Sequence, residues 1–181
     1  MAFSLGASGL RLGPGCRIIG GRHISFGENI SADRNLWLEA VTSYRSQCFN
    51  PRIVIGDCVS FSEGVHISSI ASISIGSHSL FGSKIYVSDH NHGIYNGEAH
   101  RSPEEAPAYR LLGGGGLLSS ARMCGSATIQ LSLVLQTIGK GAIVGANSVV
   151  RGVVPANTIV AGAPARPIKI FNSNTGSWDK V

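Results

Sequence analysis

The sequence predicts an all-β protein folded as a parallel β-helix, and three observations lead to that fold class. Six-residue units recur along the chain, each opening on a bulky apolar residue that a small residue usually follows. Glycine is abundant, with 24 copies, and charged residues make up only 14% of the 181 residues. A period of six fits neither an α-helix nor a plain alternating strand, but it is typical of a solenoid. Tight solenoid corners need glycine, and a stacked core excludes charge.

The units also predict which side chains fill the core. They run from residue 26 to 38, from 55 to 92 and from 138 to 160, with a slip of two residues near Ala71 and Ser72. The apolar residue that opens a unit should point inward, stacked on its equivalent in the next coil. The predicted inward set is Ile24, Phe26, Ile55, Phe61, Ile75, Phe81, Val87, Ile138, Val144 and Val150.

Three segments interrupt or follow the repeat within what we expect to be one domain, residues 1–181. Residues 41–50 break the pattern and are expected to form a short excursion. Residues 93–116 contain two prolines and four consecutive glycines, which stop strand pairing and predict one long excursion loop. A long loop on a compact solenoid is more often functional than idle. Residues 170–181 are expected to form a short polar C-terminal tail.

Composition excludes several classes of function. The net charge of +5 is mild, no Lys/Arg run occurs and aromatic residues are only 7%, so the sequence does not favour a nucleic-acid partner; anionic small molecules fit better. The four cysteines show no CxxC spacing, which predicts a reducing compartment. No apolar run is long enough for a transmembrane segment, and the N-terminus lacks a signal-peptide core. We therefore expect a cytoplasmic protein.

The repeat stops at a group of titratable residues. The hexad that begins at Val87 ends in Asp89-His90-Asn91-His92, and Gly93 follows. A regular scaffold that delivers polar side chains to the start of an irregular loop is a common way to build a site. Imidazole is suited to proton transfer because its ordinary pKa lies near neutrality.

Taken together, the hexads, the DHNHG junction and the ending TIGKGAIVGANSVV…PANTIVAGAPARPIK resemble the hexapeptide-repeat acyltransferases. Within that family the chain most resembles the O-acetyltransferases of lipopolysaccharide and capsule biosynthesis. The resemblance covers roughly residues 24–172, except for one tract. It implies a left-handed coil, which the spacing alone does not give and which opposes the usual right-handed crossover.

The resemblance implies acetyl transfer from acetyl-CoA to a sugar or glycan hydroxyl in lipopolysaccharide or exopolysaccharide biosynthesis. A histidine at the start of the loop would be the general base. His92 is preferred because it precedes glycine as in related motifs, His90 is the second candidate, and Asp89 could orient an imidazole. The acceptor could be a sugar, a glycolipid or a glycan. The remaining histidines that we considered, His66, His78 and His100, are expected at the surface.

The resemblance also implies a donor site and an assembly. The backbone around Gly145, Ala146 and Ser148 would line the pantetheine arm of the coenzyme. Arg166 and Lys169 would face its phosphates, where the fork of an arginine suits the geometry. In this family the donor lies in the groove between subunits, which implies a homotrimer.

Two other functions remain open. The γ-type carbonic anhydrases use the same fold with three histidines on zinc, for which His66, His90 and His92 are candidates. The AGAPAR ending favours binding of coenzyme A instead. The acyltransferase hypothesis requires no metal ion. The other alternative is an inactive remnant of an acyltransferase, damaged by a local frameshift.

The frameshift concerns residues 117–137, which show no six-residue step although hexads flank them. Relatives have two hexads here, with a VWIG core. The codon of Met123 ends in G and that of Cys124 begins with TG, so a frame that starts at the last base of the Met123 codon reads GTG, valine. If the Cys124 codon is TGT, the next codon in that frame is TGG, tryptophan. Synonymous codons for residues 117–132 allow VIIGANVWIGDNTVI. We therefore predict a displaced frame opened near residues 113–116 and closed before Ile138.

Overall fold

The computed structural model describes residues 8–95, 102–114, 117–120, 129–132 and 136–181. The described residues form short strands and two single-turn 3-10 helices, Gly21–His23 and Pro107–Tyr109. No helix among them is long and apolar enough to cross a membrane. The strands are β1 (Arg11–Leu12), β2 (Arg17–Ile19), β3 (Ile24–Phe26), β4 (Ser31–Ala32), β5 (Trp37–Ala40), β6 (Ser43–Tyr44), β7 (Gln47–Cys48), β8 (Arg52–Ile55), β9 (Ser60–Phe61), β10 (His66–Ser69), β11 (Ser72–Ile75), β12 (Leu80–Phe81), β13 (Tyr86–Ser88), β14 (His90–His92), β15 (Leu112–Gly114), β16 (Leu117–Ser120), β17 (Ile129–Ser132), β18 (Gln136–Ile138), β19 (Ile143–Val144), β20 (Ser148–Val150), β21 (Val153–Val154), β22 (Thr158–Ala161), β23 (Arg166–Asn172) and β24 (Ser177–Lys180).

Three parallel sheets form the faces of the coil, as the six-residue period predicts. Their strand orders are β1-β4-β9-β12, β2-β5-β10-β13-β17-β20 and β21-β18-β16-β11-β8-β3. Neighbouring coils pair in register, so that Leu38, Ile67 and Val87 form one stacked row. These three side chains are buried, and the residues that alternate with them face outward.

The core confirms nine of the ten predicted inward residues. Phe26 differs: it is partly buried and packs against the core instead of filling it. Phe26 is the final residue of β3, an edge strand with a neighbouring coil on one side only, whereas Ile24 at the start of that strand is buried. The confirmed residues are Ile24, Ile55, Phe61, Ile75, Phe81, Val87, Ile138, Val144 and Val150.

The small residue after each apolar one has a steric cause. A Cβ on Gly56 would come within 2.6 Å of the backbone nitrogen of Ser77, one coil further along. A Cβ on Gly139 would approach the nitrogen of Ala156 to 2.4 Å. Since backbone atoms of the next coil occupy the space of a side chain, these positions require glycine.

The first excursion has the predicted place and forms a hairpin. Strands β6 and β7 pair antiparallel within residues 41–50. The second excursion differs from the prediction, because Leu112–Gly114 pairs antiparallel with His90–His92. The sequence prediction that proline and glycine stop strand pairing throughout 93–116 is therefore wrong at Leu112, Gly113 and Gly114. Gln47 supplies the reason, since its side chain holds both backbone groups of Leu112.

The C-terminal segment is also more ordered than a polar tail. Strand β23 pairs antiparallel with β22, and β24 pairs with β23, which corrects the prediction for residues 170–181. Phe171 and Trp178 pack edge to face across the hairpin, with ring centroids 5.3 Å apart. This aromatic pair gives the short strands a hydrophobic contact that the polar composition of the segment conceals.

The tract without a six-residue step occupies strand positions where it is described. β16 pairs in parallel with β11 and β18, and β17 pairs with β13 and β20. We expected residues 117–137 to be the least regular part of the chain; residues 121–128 and 133–135 lie outside the described residues, so that expectation stays a prediction. Met123 and Cys124 lie outside the described residues. The prediction of a displaced reading frame concerns the gene and stays a prediction.

Candidate active site

A cleft of about 240 Å³ opens on the outer face of the coil beside the histidine pair. Sheet strands β5, β10 and β13 form its floor, the hairpin β6–β7 forms one wall, and β14 with β15 forms the other. Both histidines of the pair contribute to it, because His90 and His92 are two residues apart on a strand and project from the same face. The lining is Glu39, Val41, Ser43, Tyr44, His66, Ser68, Tyr86, His90, His92 and Leu112.

Asp89 lies beneath the cleft with only 1% of its surface exposed. Its carboxylate accepts hydrogen bonds from the Ser69 hydroxyl at 2.6 Å and from the backbone N–H groups of Ile70, Ala71 and Ser72 at 2.9–3.0 Å. Asp89 therefore anchors the corner where the repeat slips by two residues. Burial raises the pKa of Asp89, but the hydrogen bonds from His90, Ser69 and the corner outweigh it and lower that pKa below its ordinary value. The group is therefore a carboxylate at neutral pH.

His90 is held by that carboxylate. Its Nδ1 lies 3.1 Å from Asp89 Oδ1 and 3.2 Å from the Ser88 hydroxyl, and the side chain is 8% exposed. Since an ionised carboxylate only accepts, the Nδ1 atom carries the proton and the bare Nε2 is the nitrogen left for other chemistry. Asp89 was expected to orient an imidazole, and its carboxylate contacts the imidazole of His90; its role in the reaction stays a prediction.

His92 is held from the opposite wall. Its Nδ1 lies 3.2 Å from the Tyr44 hydroxyl, and the two rings meet edge to face with centroids 5.2 Å apart. The Tyr95 hydroxyl donates to the carbonyl of His92. Unlike His90, His92 is exposed. The two predicted candidates for the base thus stand side by side in one cleft with different supports.

His66 corrects the expectation that it lies on the open surface. Its ring stacks on Trp37 with centroids 4.2 Å apart and meets Tyr86 edge to face at 5.1 Å, and it lines the cleft. Burial, and secondarily the repulsion of a charged His90, lower the pKa of His66. His66 is therefore neutral at pH 7. His78 is exposed in a turn, as predicted, and His100 lies outside the described residues.

Sequence reasoning missed several residues that line the cleft, among them Glu39 and Tyr44, and it missed Gln47, which holds the lining residue Leu112. Tyr44 and Gln47 belong to the 41–50 excursion, and Glu39 immediately precedes it. Glu39 lies one position beyond an inward residue, Leu38, so the alternation of the strand places it on the outer face. Tyr44 is 48 residues from His92, and no periodic pattern connects them.

A second cleft of about 290 Å³ lies near the C-terminal coils, with Val149, Arg151, Ala163 and Pro164 in its lining. Arg151 was not predicted. Of the predicted donor residues, Arg166 is exposed, and its guanidinium donates to the neighbouring Ala165 carbonyl at 3.3 Å.

The other predicted donor residues have varied surroundings. Gly145 donates its N–H to the Val160 carbonyl, and Ala146 is exposed. Ser148 is fully buried, and its hydroxyl accepts from the N–H of Gly162, so its side chain supports the coil. Lys169 is partly exposed within β23.

Both clefts open on the same sheet. Tyr86 lines the first and Val149 lines the second, and both are matched in register to Gln130 of the strand between them. Two strand spacings separate them, which is about 9–10 Å between backbones. The two clefts therefore lie close to each other on one sheet face.

Among the described residues, no group of three or more His, Cys, Asp or Glu side chains is placed to hold a metal ion. His66, His90 and His92 share the first cleft but do not form such a group within one chain.

Solved structures share the fold. The N-acyltransferase AntD from Bacillus cereus, solved as a mutant with dTDP-4-amino-4,6-dideoxyglucose and coenzyme A, matches with a TM-score of 0.72 and 18% identity over 93% of this chain and 84% of that chain. A maltose O-acetyltransferase from Clostridium difficile 630 matches with a TM-score of 0.52 and 21% identity over 92% and 69% of the two chains. These likenesses confirm the left-handed parallel β-helix.

No protein-family model matches the chain. One curated relative shows a clear similarity in sequence: WbbJ from Escherichia coli K12, whose name marks it as a candidate lipopolysaccharide biosynthesis O-acetyl transferase. It is 36% identical over 168 residues, which cover 92% of this chain and 81% of that protein. The hexads, the histidine junction, the fold and this relative lead to one conclusion: the chain belongs to the hexapeptide-repeat acyltransferases.

Proposed function

We propose that this acyltransferase moves the acetyl group of acetyl-CoA to a hydroxyl of a sugar, glycolipid or glycan in lipopolysaccharide or exopolysaccharide biosynthesis. The observation that carries the proposal is the pairing of two clefts on one sheet face. One presents imidazoles supported through Nδ1, and the other has Arg151 in its lining. The names of the relatives support both substrates, since one is an O-acetyl transferase of lipopolysaccharide biosynthesis and another was solved with coenzyme A and a sugar nucleotide.

The acetyl transfer would proceed through a tetrahedral intermediate. The bare Nε2 of a histidine takes the proton of the acceptor hydroxyl as its oxygen attacks the thioester carbonyl carbon. The carbon–sulfur bond then breaks, and the leaving thiolate takes the proton back from the imidazolium. The thioester is already activated, so positioning of the two substrates supplies much of the remaining catalysis.

The contacts favour His90 as the base, although the sequence motif favoured His92. A base becomes positively charged when it takes the proton, and His90 contacts a carboxylate that stays ionised. The Coulomb attraction of Asp89 therefore stabilises the imidazolium of His90 as it forms. His92 contacts a neutral hydroxyl instead.

At the donor site, Arg166 and Lys169 would meet the coenzyme phosphates, with Arg151 as an additional contact from the second cleft. The backbone at Gly145, Ala146 and Ser148 would line the pantetheine arm. We propose a homotrimer with the donor groove between subunits, as the family resemblance implies. We also propose that the protein acts in the cytoplasm as a single domain.

The test is acetyl transfer measured by thiol release from acetyl-CoA with a panel of sugar acceptors. His90→Ala should lower kcat by about 10²–10⁴-fold, the usual worth of a positioned general base. His92→Ala should retain most of kcat. The reverse result would identify His92 as the base and leave the reaction unchanged. Full activity in both variants would overturn the proposal, and stoichiometric zinc with hydration of carbon dioxide to bicarbonate would support the carbonic anhydrase alternative.

A further inference from the structure

The hairpin of the first excursion contacts His92 through the hydroxyl of Tyr44. This hydroxyl lies 2.9 Å from the carbonyl oxygen of Ala108 and 3.2 Å from Nδ1 of His92. Arg45 donates its Nε–H to the same carbonyl at 2.8 Å. Tyr44 thus connects the first excursion, the second excursion and one histidine of the pair.

The direction of these hydrogen bonds follows from the donor and acceptor inventory. A carbonyl oxygen only accepts, so the single hydroxyl proton of Tyr44 is used on Ala108. The hydroxyl oxygen then faces His92 with its lone pairs, and Nδ1 of His92 must carry the proton. The neutral imidazole has one N–H, so Nε2 of His92 is bare.

We infer that Tyr44 is a positioning residue that fixes the Nδ1–H tautomer of His92, so that the bare Nε2 accepts a hydrogen bond from a second hydroxyl of the acceptor. The inference rests on the proposed function in one respect, that the acceptor occupies this cleft. His90 and His92 are two residues apart on one strand, which places their backbones about 6–7 Å apart. Two bare nitrogens that project from the same face of one strand suit a sugar ring with two neighbouring hydroxyls, one acetylated and one bound.

The tautomer is measured directly by long-range 1H–15N NMR of the imidazoles in the full-length protein at a pH where they are neutral. The His92 signals are assigned by their loss in His92→Gln. Wild type should show a protonated Nδ1 and a bare Nε2 at His92. Tyr44→Phe, which removes only the hydroxyl, should shift His92 toward a mixture of both tautomers. Tyr109→Phe is the matched control, because that tyrosine contacts Arg45 through its ring, and it should leave His92 unchanged.

A protonated Nε2 at His92 in wild type would overturn the inference, as would an unchanged tautomer in Tyr44→Phe. Kinetics give a second readout. With a sugar that accepts acetyl groups, Tyr44→Phe should raise the acceptor KM by about 2–10-fold, the net worth of one hydrogen bond, with kcat nearly unchanged. If no sugar accepts an acetyl group, the proposed function fails while the NMR result still decides the role of Tyr44.

Discussion

At the scale of single residues, Asp89 combines a structural and a chemical role. Three backbone N–H groups and one hydroxyl of the 69–72 corner depend on its carboxylate, and His90 uses the same Oδ1 that binds Ile70. A buried donor without an acceptor lowers stability, so loss of the carboxylate would leave the N–H groups and the hydroxyl of the whole corner without their acceptor. A fall in activity on changing Asp89 would therefore be ambiguous without a stability measurement.

We expect Asp89→Asn to lower the free energy of unfolding by at least about 2 kcal/mol at pH 7, because the amide returns a donor to a site full of donors. The folded pKa of Asp89 lies below its ordinary value of 3.8, so its stabilisation is complete above that pH and is lost as the pH falls through the lower folded value. Urea unfolding should show a constant difference between pH 7 and 5 that narrows only below about pH 4.

The exposed Asp33 provides the control, since Asp33→Asn should change stability little. A difference between wild type and Asp89→Asn that already narrows between pH 7 and 5 would contradict the low pKa of Asp89.

The Arg166→Ala variant tests whether this arginine contacts the coenzyme phosphates. We expect Arg166→Ala to raise the dissociation constant of coenzyme A while leaving the rate of the bound complex close to normal, because a remote phosphate contact stabilises ground state and transition state alike. Calorimetric titration with coenzyme A and with its dephospho form measures this contact. Equal affinities of wild type and variant for both forms would remove Arg166 from the site.

The candidate residues at the junction were predictable because Asp89, His90 and His92 are close in sequence, and a local motif reveals them. Their partners were not. Ser69 and the corner are 17–20 residues away, and Tyr44 and Gln47 are 48 and 65 residues from the atoms they hold. Such contacts depend on how coils stack and where excursions fold back, which the six-residue period does not encode.

At the scale of elements, the two excursions hold each other. The Gln47 amide donates to the carbonyl of Leu112 at 3.1 Å, and its amide oxygen accepts from the N–H of Leu112 at 2.7 Å. One side chain thereby completes the outer edge of β15, whose other edge pairs with His90–His92. Tyr44 and Arg45 hold Ala108 in the same way. The wall of the cleft is therefore built from two segments that are far apart in sequence.

We expect Gln47→Ala to free the backbone of Leu112 and to speed hydrogen exchange of its amide by about 10-fold or more, since one net hydrogen bond of about 1.4 kcal/mol is worth that factor. Exchange at Ile67, in the centre of the coil, should not change. Gln47→Glu is the matched variant: it keeps the acceptor for the Leu112 amide, so that amide should stay protected. Equal exchange rates of the Leu112 amide in wild type and Gln47→Ala would contradict the conclusion that the Gln47 side chain holds the backbone of Leu112.

The regular elements were predictable and the irregular ones were not, for a physical reason. The sequence of a hexad is enough to identify its buried residue. An apolar side chain and a small neighbour are needed wherever one coil stacks on the next, as at Ile55 and Gly56. The strands β15 and β24 pair with β14 and β23, outside the three parallel sheets. Glycines in β15 and polar residues in β24 therefore gave a signal for loops.

At the scale of the whole molecule, the coil is a stack in which each layer is stabilised by its neighbours. The strands of residues 117–137 lie between β11 and β13 on one side and β20 and β21 on the other. This tract also separates the two clefts. A defect there would affect stability and the geometry of both substrates together.

We predict that the gene, corrected for one opening and one closing indel in this tract, encodes hexads with the VWIG core. Resequencing of codons 110–140 tests this, and a TGC codon at Cys124 would contradict it because the shifted frame would then read arginine. The repaired chain should melt at a higher temperature than the chain as written, since apolar residues restore nearest-neighbour stacking. It should also transfer acetyl groups faster; equal melting temperatures would mean that the written tract fills the coil fully.

The hydrogen bonds that join the hairpin to the second excursion have a consequence for engineering. A library that varies residues 43–48 alone, or 102–114 alone, breaks hydrogen bonds whose partners lie in the other segment. Most members of such a library would lose the cleft wall instead of altering its preference for acceptors. The transplantable module is both segments taken from the same donor protein, grafted together onto an unchanged coil.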